Sequence, residues 1–244
     1  MSYDWNWNFF LEAAPYGETI YLGWVVSGLI MTISVSLTAW ALALAIGTLI
    51  GVLRTSHVFS LSKYISVVYI ELFRNIPLLV QLFIWYYVMP EFLPSPIGDN
   101  YKQMDPVTQQ FLTGALCLGL FTAARVANHV RVGIETLSKD QANAGLTLGL
   151  TLTQTYQYVL LPQTFRTMLP TLTSEFVSIV KNSSVCSTVG LLELSAQGRQ
   201  LVDYTAHPYE SFIIITLCYV FFNLPVIIYM NRVGRSLNTS GIMG

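Results

Sequence analysis

The amino-acid sequence predicts an all-α integral membrane protein with five transmembrane helices, and three observations carry that prediction. Of 244 residues, 53% are hydrophobic and only 10% charged, against about 25% charged for an ordinary soluble domain. Mean hydropathy is +0.55. The apolar residues gather in continuous runs longer than the roughly 20 residues a bilayer requires, not in the alternation of half-buried strands. A net charge of −1 argues against nucleic acid as a partner. The three cysteines, Cys117, Cys186 and Cys218, lie in apolar stretches without CxxC spacing. They read as small buried hydrophobes, not as metal or redox groups.

The elements follow in order within a single domain, residues 1–244. Residues 1–21 carry acids and aromatics where a signal peptide would carry Lys or Arg, so they read as mature sequence. Trp5, Trp7, Phe9 and Phe10 are expected along a membrane interface. The first span covers residues 23–53, with Gly28, Gly47 and Gly51 allowing close helix contact and Arg54 ending it. The next apolar stretch, 64–93, is broken at Pro77, because the residue before a proline is pushed out of the helical region. A kink or a join between two helices is expected there, then a second span over 78–89 extended by a turn at either end. Trp85, Tyr86 and Tyr87 form its aromatic belt. Pro90, Pro94, Pro96, Gly98 and Asp99 read as a loop. The third span covers 110–130. The fourth covers 165–191, interrupted by Pro170 and the polar run Lys181, Asn182, Ser183 and Ser184. The fifth covers 212–230 with a kink at Asn223-Leu224-Pro225, and the tail 231–244 is expected to be poorly ordered.

One stretch, residues 141–162 (QANAGLTLGLTLTQTYQYVLLP), stands apart as a polar island. Residues 141–148 suit a helix of about two turns, and Gly149 sits where a left-handed cap would end it. A second short helix fits 151–159, with Thr151 as N-cap and Gln154 three residues on as a capping box requires. Pro162 cannot continue that helix but can begin another. No His, Cys or carboxylate lies between 141 and 162, so the stretch suits docking into a partner better than chemistry.

Basic residues set the orientation. Arg54, Lys63, Arg131, Lys139, Arg166, Arg232 and Arg235 fall on one side of five spans, and Lys102 and Arg199 on the other. The positive-inside rule makes the first side cytoplasmic. The N-terminus is then outside, and the C-terminus and the loop at about 134–162 are inside. Nine acids, Asp4, Glu12, Glu18, Glu91, Asp99, Asp105, Glu193, Asp203 and Glu210, fall outside and give that face a negative field.

Charges inside the spans cost about 2.5 to 3.5 kcal/mol each on insertion scales, so each needs a partner, an escape route or a function. Lys181, beside Asn182, Ser183 and Ser184 in a broken helix, could hold a carboxylate. The alternatives are a partner on another helix or Glu175, which is six residues away and about 120° around the helix, a poor geometry for direct pairing. Arg125 has three readings: substrate contact, snorkelling past Arg131 to the cytoplasmic surface, or structural pairing, with Asn128 and His129 on the same face to help hold it. Glu71 and Arg74 are expected to satisfy each other. His57 and His207 fall in expected loops without ligand spacing and read as solvated.

The polar loop resembles the cytoplasmic loop of permease subunits from bacterial ABC importers, whose pattern is E-A-A, three residues, G, nine residues, I, one residue, L-P. It maps here onto Asn143, Ala144 and Gly145, then Gly149, then Val159, Leu161 and Pro162, with both spacings intact. The departures are Asn for Glu, Gly for the second Ala, and Val for Ile. The first removes a carboxylate that could pair with a base on the ATPase. Residues 71–81 (ELFRNIPLLVQ) are similar to a segment of the polar amino acid permeases, as are Pro162-Gln163, Arg166 and 181–184 (KNSS). The DWNW start, residues 119–126 (GLFTAARV) and 203–207 (DYTAH) look like the glutamate/aspartate permease subunits of that family. The resemblance covers nearly the whole chain.

It implies a type I ABC importer permease fold in the bacterial inner membrane, forming one half of a translocation pathway for acidic amino acids that works by alternating access. The implied partners are a second, paralogous permease subunit, two cytoplasmic ATPases that bind ATP and Mg, and a periplasmic amino-acid-binding protein. No cofactor is implied for this chain, and it is not itself the enzyme. Coupling to the ATPases would fall to Asn143, Ala144, Gly145, Gly149, Leu161 and Pro162. The substrate pathway would include Lys181, Asn182, Ser183, Ser184, Arg125 and Glu175. Family permeases commonly have an uncharged residue where Arg125 stands, and the added charge would suit an acidic substrate. Two alternatives stay open: a permease for neutral or amide amino acids such as glutamine or asparagine, and a passive amino acid channel. An intramembrane enzyme would need a nucleophile beside a base, or a metal constellation such as HExxH, and the sequence contains neither.

Overall fold

In the computed structural model, residues 3–15, 17–55, 60–137 and 139–239 are described, and among them helices dominate. A lone antiparallel bridge, Ala13 to Ile20, interrupts that pattern. Helix α1 (Tyr21–Thr55) covers the first apolar run. Helix α2 (Ser60–Asn75) stops at the residue pair before Pro77. Helix α3 (Leu78–Phe83) restarts after Pro77 and continues through a π-turn at Ile84–Val88 into Met89–Phe92. The bend between Leu61–Asn75 and Leu78–Phe92 is 106°, which makes Pro77 a join between two helices. A short α4 (Ser95–Lys102) leads to α5 (Pro106–Thr136). Then come α6 (Lys139–Thr147), α7 (Leu152–Thr155), a second π-turn (Tyr156–Leu160) and α8 (Leu161–Asn182). After a 3₁₀ stretch at Ser183–Val189, α9 (Leu194–Thr205) and α10 (Pro208–Thr239) complete the described chain.

Among the described residues, three helices are long and apolar enough to cross a membrane, Tyr21–Thr55, Pro106–Thr136 and Pro208–Gly234, and the bent pair at Pro77 supplies a fourth crossing if it counts as one span. Helix α8, at 22 residues, has the length. It carries Arg166, Glu175 and Lys181 together with several Thr and Ser, and is less apolar than those helices.

Several expected boundaries shift, each for a physical reason. Pro90 and Pro162 do not break the chain. Each follows a π-turn by two residues, Ile84–Val88 and Tyr156–Leu160 respectively. A proline lacks the N–H that would bond the carbonyl four residues back, and its ring crowds that carbonyl. One widened turn relieves both problems, so the helix runs on. Pro96 sits in the first turn of a short helix, where a missing N–H costs nothing. The proline-rich loop is therefore mostly helical. The tail continues α10 as far as Thr239; residues 240–244, like His57, lie outside the described residues.

The chain divides into two compact units, and the long helices pass from one into the other. The first comprises Met1–Thr38, Leu78–Cys117 and Ile179–Leu224. Its core joins Phe9 and Phe10 to Trp24, Val25, Leu194, Leu201 and Ile215. The interfacial row expected of the N-terminus is thus split: Trp5 and Trp7 stay 52% and 45% exposed, whereas Phe9 and Phe10 are core. His207 is not simply solvated, because its ring stacks on Phe9 at 4.9 Å.

The second unit comprises Ala39–Pro77, Leu118–Ser178 and Pro225–Gly244. Here α1 crosses α5 at van der Waals contact. A Cβ on Gly47 would lie 2.7 Å from Val126 and 2.8 Å from the Ala123 carbonyl, and one on Gly51 would lie 2.7 Å from Val130. The two glycines are four residues apart on one face, the spacing that lets membrane helices approach without side chains intervening.

Candidate coupling loop and intramembrane charges

The loop from α6 to α8 is built as the sequence predicts at its corners. The Leu150 N–H donates to the Gly145 carbonyl at 3.1 Å and the Gly149 N–H to the Leu146 carbonyl at 3.0 Å. This pair is a Schellman closure, and it places Gly149 at φ 84°. Nothing lies within 4 Å of where a Gly149 Cβ would be, so backbone conformation and not space demands glycine here. At the next corner the Thr151 hydroxyl accepts from the Gln154 N–H at 3.3 Å, and the Gln154 side chain accepts from the Thr151 N–H at 2.8 Å. The capping box is complete.

The departures from the E-A-A pattern have distinct settings. Asn143 and Ala144 are exposed and Gly145 is buried. A Cβ on Gly145 would stand 3.0 Å from the Thr155 methyl group. Thr155 is buried and donates its hydroxyl to the Thr151 carbonyl at 3.0 Å. The missing alanine methyl is therefore matched by a threonine ten residues later. Leu161 is half-buried and Pro162 exposed. The loop also presents Leu146, Leu148 and Leu152 outward, Leu148 at 83% exposure. Exposed apolar side chains grouped on a short, rigid loop are the surface a partner's groove would cover.

Tyr156, at the start of the second π-turn, lies 3.2 Å from the Thr55 hydroxyl at the end of α1. A groove of about 560 Å³ opens beside this contact, between α1 and the loop. Sequence reasoning singled out neither residue, since only the fold brings positions 101 apart together.

Also in the second unit, Arg125 Nε lies 2.9 Å from Glu175 Oε2, and His129 Nε2 lies 3.1 Å from Glu175 Oε1. The Arg125 guanidinium stacks over the Phe121 ring at 4.9 Å. Of the readings open for Arg125, structural pairing is the one this geometry displays. The Arg125 and Glu175 side chains are 30% and 14% exposed, and the exposure lies away from the contact, because Arg125 Nε and Nη2 and Glu175 Oε2 are themselves buried. Asn128 turns to Arg131 at 3.4 Å. Glu71 accepts from the Asn75 amide at 3.2 Å instead of pairing with Arg74.

In the first unit, Lys181 is exposed and Asn182 half-buried where α8 gives way to the 3₁₀ stretch. The Ser183 hydroxyl donates to the Val180 carbonyl and the Ser184 hydroxyl to the Lys181 carbonyl, both at 2.8 Å. Two of the three polar groups beside Lys181 thus spend their protons on the backbone.

Two acids expected on the outer surface are fully buried in the same unit, Glu193 and Glu210. Glu193 caps α9, accepting from the Ser195 and Ala196 N–H groups at 3.0 and 2.8 Å, from the Ser195 hydroxyl at 2.5 Å and from Tyr219 at 3.1 Å. Glu210 accepts from the Tyr3 hydroxyl at 2.5 Å and the Asn6 N–H at 2.9 Å. A signal was available for Glu210: it stands third in a helix opened by Pro208, where a carboxylate complements the free N–H groups. For Glu193 the cue was its place just before the apolar Leu194.

Comparisons with known proteins place this geometry. Residues 43–239 match the family model described as binding-protein-dependent transport system inner membrane component. The chain is 50% identical, over an alignment of 245 residues covering 100% of it and 99% of the relative, to the glutamate/aspartate import permease protein GltJ of Escherichia coli strain K12. It is 27% identical over 78% of its length to the glutamate/aspartate import permease protein GltK of Escherichia coli O6:H1, covering 80% of that relative. A crystal structure of an amino acid ABC transporter with histidines superposes at a TM-score of 0.73 with 28% identity, covering 88% of this chain and 95% of the other. An inward-facing MetNI methionine ABC transporter superposes at 0.71 with 19% identity, again over 88% of this chain and 97% of the other, and so speaks for the fold alone. The all-helical architecture, the loop with its two fixed corners and the match over residues 43–239 together establish that the chain belongs to the binding-protein-dependent transport system inner membrane components, the permease subunits of ABC importers.

Proposed function

We propose that this permease forms one half of the translocation pathway of an ATP-driven importer for glutamate and aspartate. The observation that carries the reading is 50% identity across the full length of both chains with a glutamate/aspartate import permease. A second, paralogous permease subunit completes the pathway. Two cytoplasmic ATPases, binding ATP and Mg, dock on the loop from α6 to α8, and a periplasmic binding protein delivers the amino acid. The N-terminus faces the periplasm and the C-terminus the cytoplasm of the bacterial inner membrane. Asn143, Ala144, Gly145, Gly149, Leu161 and Pro162 shape the docking loop. Arg125, whose side chain is 30% exposed, offers a cation that an acidic side chain can compete for against Glu175, and Lys181 with Asn182, Ser183 and Ser184 forms a second polar station.

Reconstitution in proteoliposomes with all partner subunits tests the proposal. Glutamate and aspartate uptake should stop when ATP is withheld. Uptake surviving without ATP would instead make the protein a channel, and uptake of glutamine without glutamate would assign an amide substrate. Gly149→Val should separate ATP hydrolysis from uptake, because a β-branched residue in the left-handed region costs about 1–2 kcal/mol and would deform the corner. Lys181→Gln should lower acidic amino acid uptake without preventing assembly.

A further inference from the structure

We propose that the hydrogen bond from Tyr156 to Thr55 is the tie through which movement of the coupling loop reaches α1. The inference rests on the loop's coupling role proposed above and adds a positioning pair to it. The Thr55 hydroxyl donates to the Val52 carbonyl at 2.9 Å. Its proton is thereby spent, so in the 3.2 Å contact Tyr156 donates and Thr55 accepts. The bond joins the last residue of α1 to the first residue of the π-turn.

What surrounds the bond gives it weight. Beside it, α1 and the loop stand apart across the open groove of about 560 Å³, with Leu44, Thr48 and Val52 on one wall and Thr153, Gln157 and Leu161 on the other. Tightly packed helices transmit displacement by contact along their whole length. Across a groove that route is missing, and a directional bond at its edge takes its place. The loop side is stiff enough to pull. Its capping box closes one end, buried Thr155 packs on Gly145 immediately before Tyr156, and Leu160 is buried at the far end of the π-turn. A rigid lever tied at one point moves the end of α1 when the ATPases move the lever.

The test uses the complete importer in proteoliposomes, measuring glutamate molecules taken up per ATP hydrolysed for the wild type, Tyr156→Phe, Thr55→Val, the double variant and Thr55→Ser. Each of the first two variants should lower that ratio about three- to tenfold, the range one hydrogen bond supports. The double variant should fall no further than either single, and Thr55→Ser, which keeps the acceptor, should stay near the wild type. Wild-type ratios in both single variants, or losses that multiply in the double, would overturn the tie. If Tyr156→Phe fails to assemble, the Thr55→Val and Thr55→Ser pair decides alone. A wild type without ATP-linked uptake would instead sink the importer reading, which keeps the two failures distinguishable.

Discussion

Glu193 and Glu210 in the first unit and Glu175 in the second are all carboxylates in the later half of a mostly apolar chain, yet they are satisfied in opposite ways. Glu193 and Glu210 are fully buried, and their close hydrogen bonds come from backbone N–H groups and hydroxyls; the nearest cationic candidate, His207, stands 4.0 Å from Glu210. Glu175 is partly open and takes Arg125 and His129. Both sites keep backbone N–H donors that cannot leave even if a hydroxyl swings away, so the first arrangement is permanent. Two side chains with their own rotamers can leave, and a competing anion can take one of them. An intramembrane acid is thus a functional candidate only when its partners are exchangeable.

The largest effect should come from breaking the permanent arrangement. Glu193→Ala strips the acceptor from two N–H groups at the start of α9 and from Tyr219. Loss of a cap together with buried unsatisfied donors amounts to roughly 2–4 kcal/mol. Thermal unfolding of the detergent-solubilised protein should show a clear drop, with Glu193→Gln, which keeps one acceptor oxygen, falling less. Equal drops would mean that charge, not acceptor geometry, is what the site needs.

The exchangeable arrangement should respond differently. Arg125→Gln leaves Glu175 with His129 alone and should cost about 1–2 kcal/mol of stability. Adding Glu175→Gln should recover most of that loss, because an uncompensated charge no longer remains. Uptake of glutamate should stay low in the double variant even as stability returns. Recovery of both would make Arg125 a structural residue only.

These cases also mark what the sequence made legible. The coupling loop was readable almost residue by residue, since Gly149, Thr151 and Gln154 act through bonds to neighbours within five positions. The Pro77 join was readable for the same local reason. The π-turns were not, because a proline's cost can be met either by ending a helix or by widening it, and tertiary packing chooses between them. The fates of Glu175, Glu193 and Glu210 were not legible either. Their partners lie 46 residues away at His129, 26 at Tyr219 and 207 at Tyr3, and the topology set by the basic residues placed the two outer acids simply on the outer face.

A milder probe of the permanent arrangement is Tyr3→Phe, which removes one of the donors Glu210 holds and leaves the Asn6 N–H. The accepting Glu210 carboxylate keeps the Tyr3 phenol protonated, raising its pKa from 10.0 to about 12. A raised phenol pKa means this contact stabilises fully below pH 10 and is lost as pH rises through about 12. Unfolding temperatures of wild type and Tyr3→Phe should therefore differ by a constant amount below pH 10 and converge above 12. A gap that persists at high pH would assign the Tyr3 contribution to its ring packing on Tyr209, 4.6 Å away between centroids.

The smallest effect is expected where a carboxylate would need no partner at all. Asn143 is exposed on α6, and its backbone carbonyl accepts from the Thr147 hydroxyl at 2.8 Å. Asn143→Glu restores the E of the family pattern without displacing any side-chain bond. It also places the negative charge at the midpoint of the nine-residue helix, beyond the first turn, where the dipole adds little. Stability should change by less than about 0.5 kcal/mol. If the loop couples through shape and through apolar residues such as Leu148, uptake per ATP should stay at the wild-type value in the reconstituted importer. A gain above about threefold would mean that the partner ATPase presents a base to this position, since a newly paired surface charge contributes up to about 1 kcal/mol. Docking would then be electrostatic at its centre, and the exchangeable kind of carboxylate contact would extend from the membrane interior to the ATPase interface.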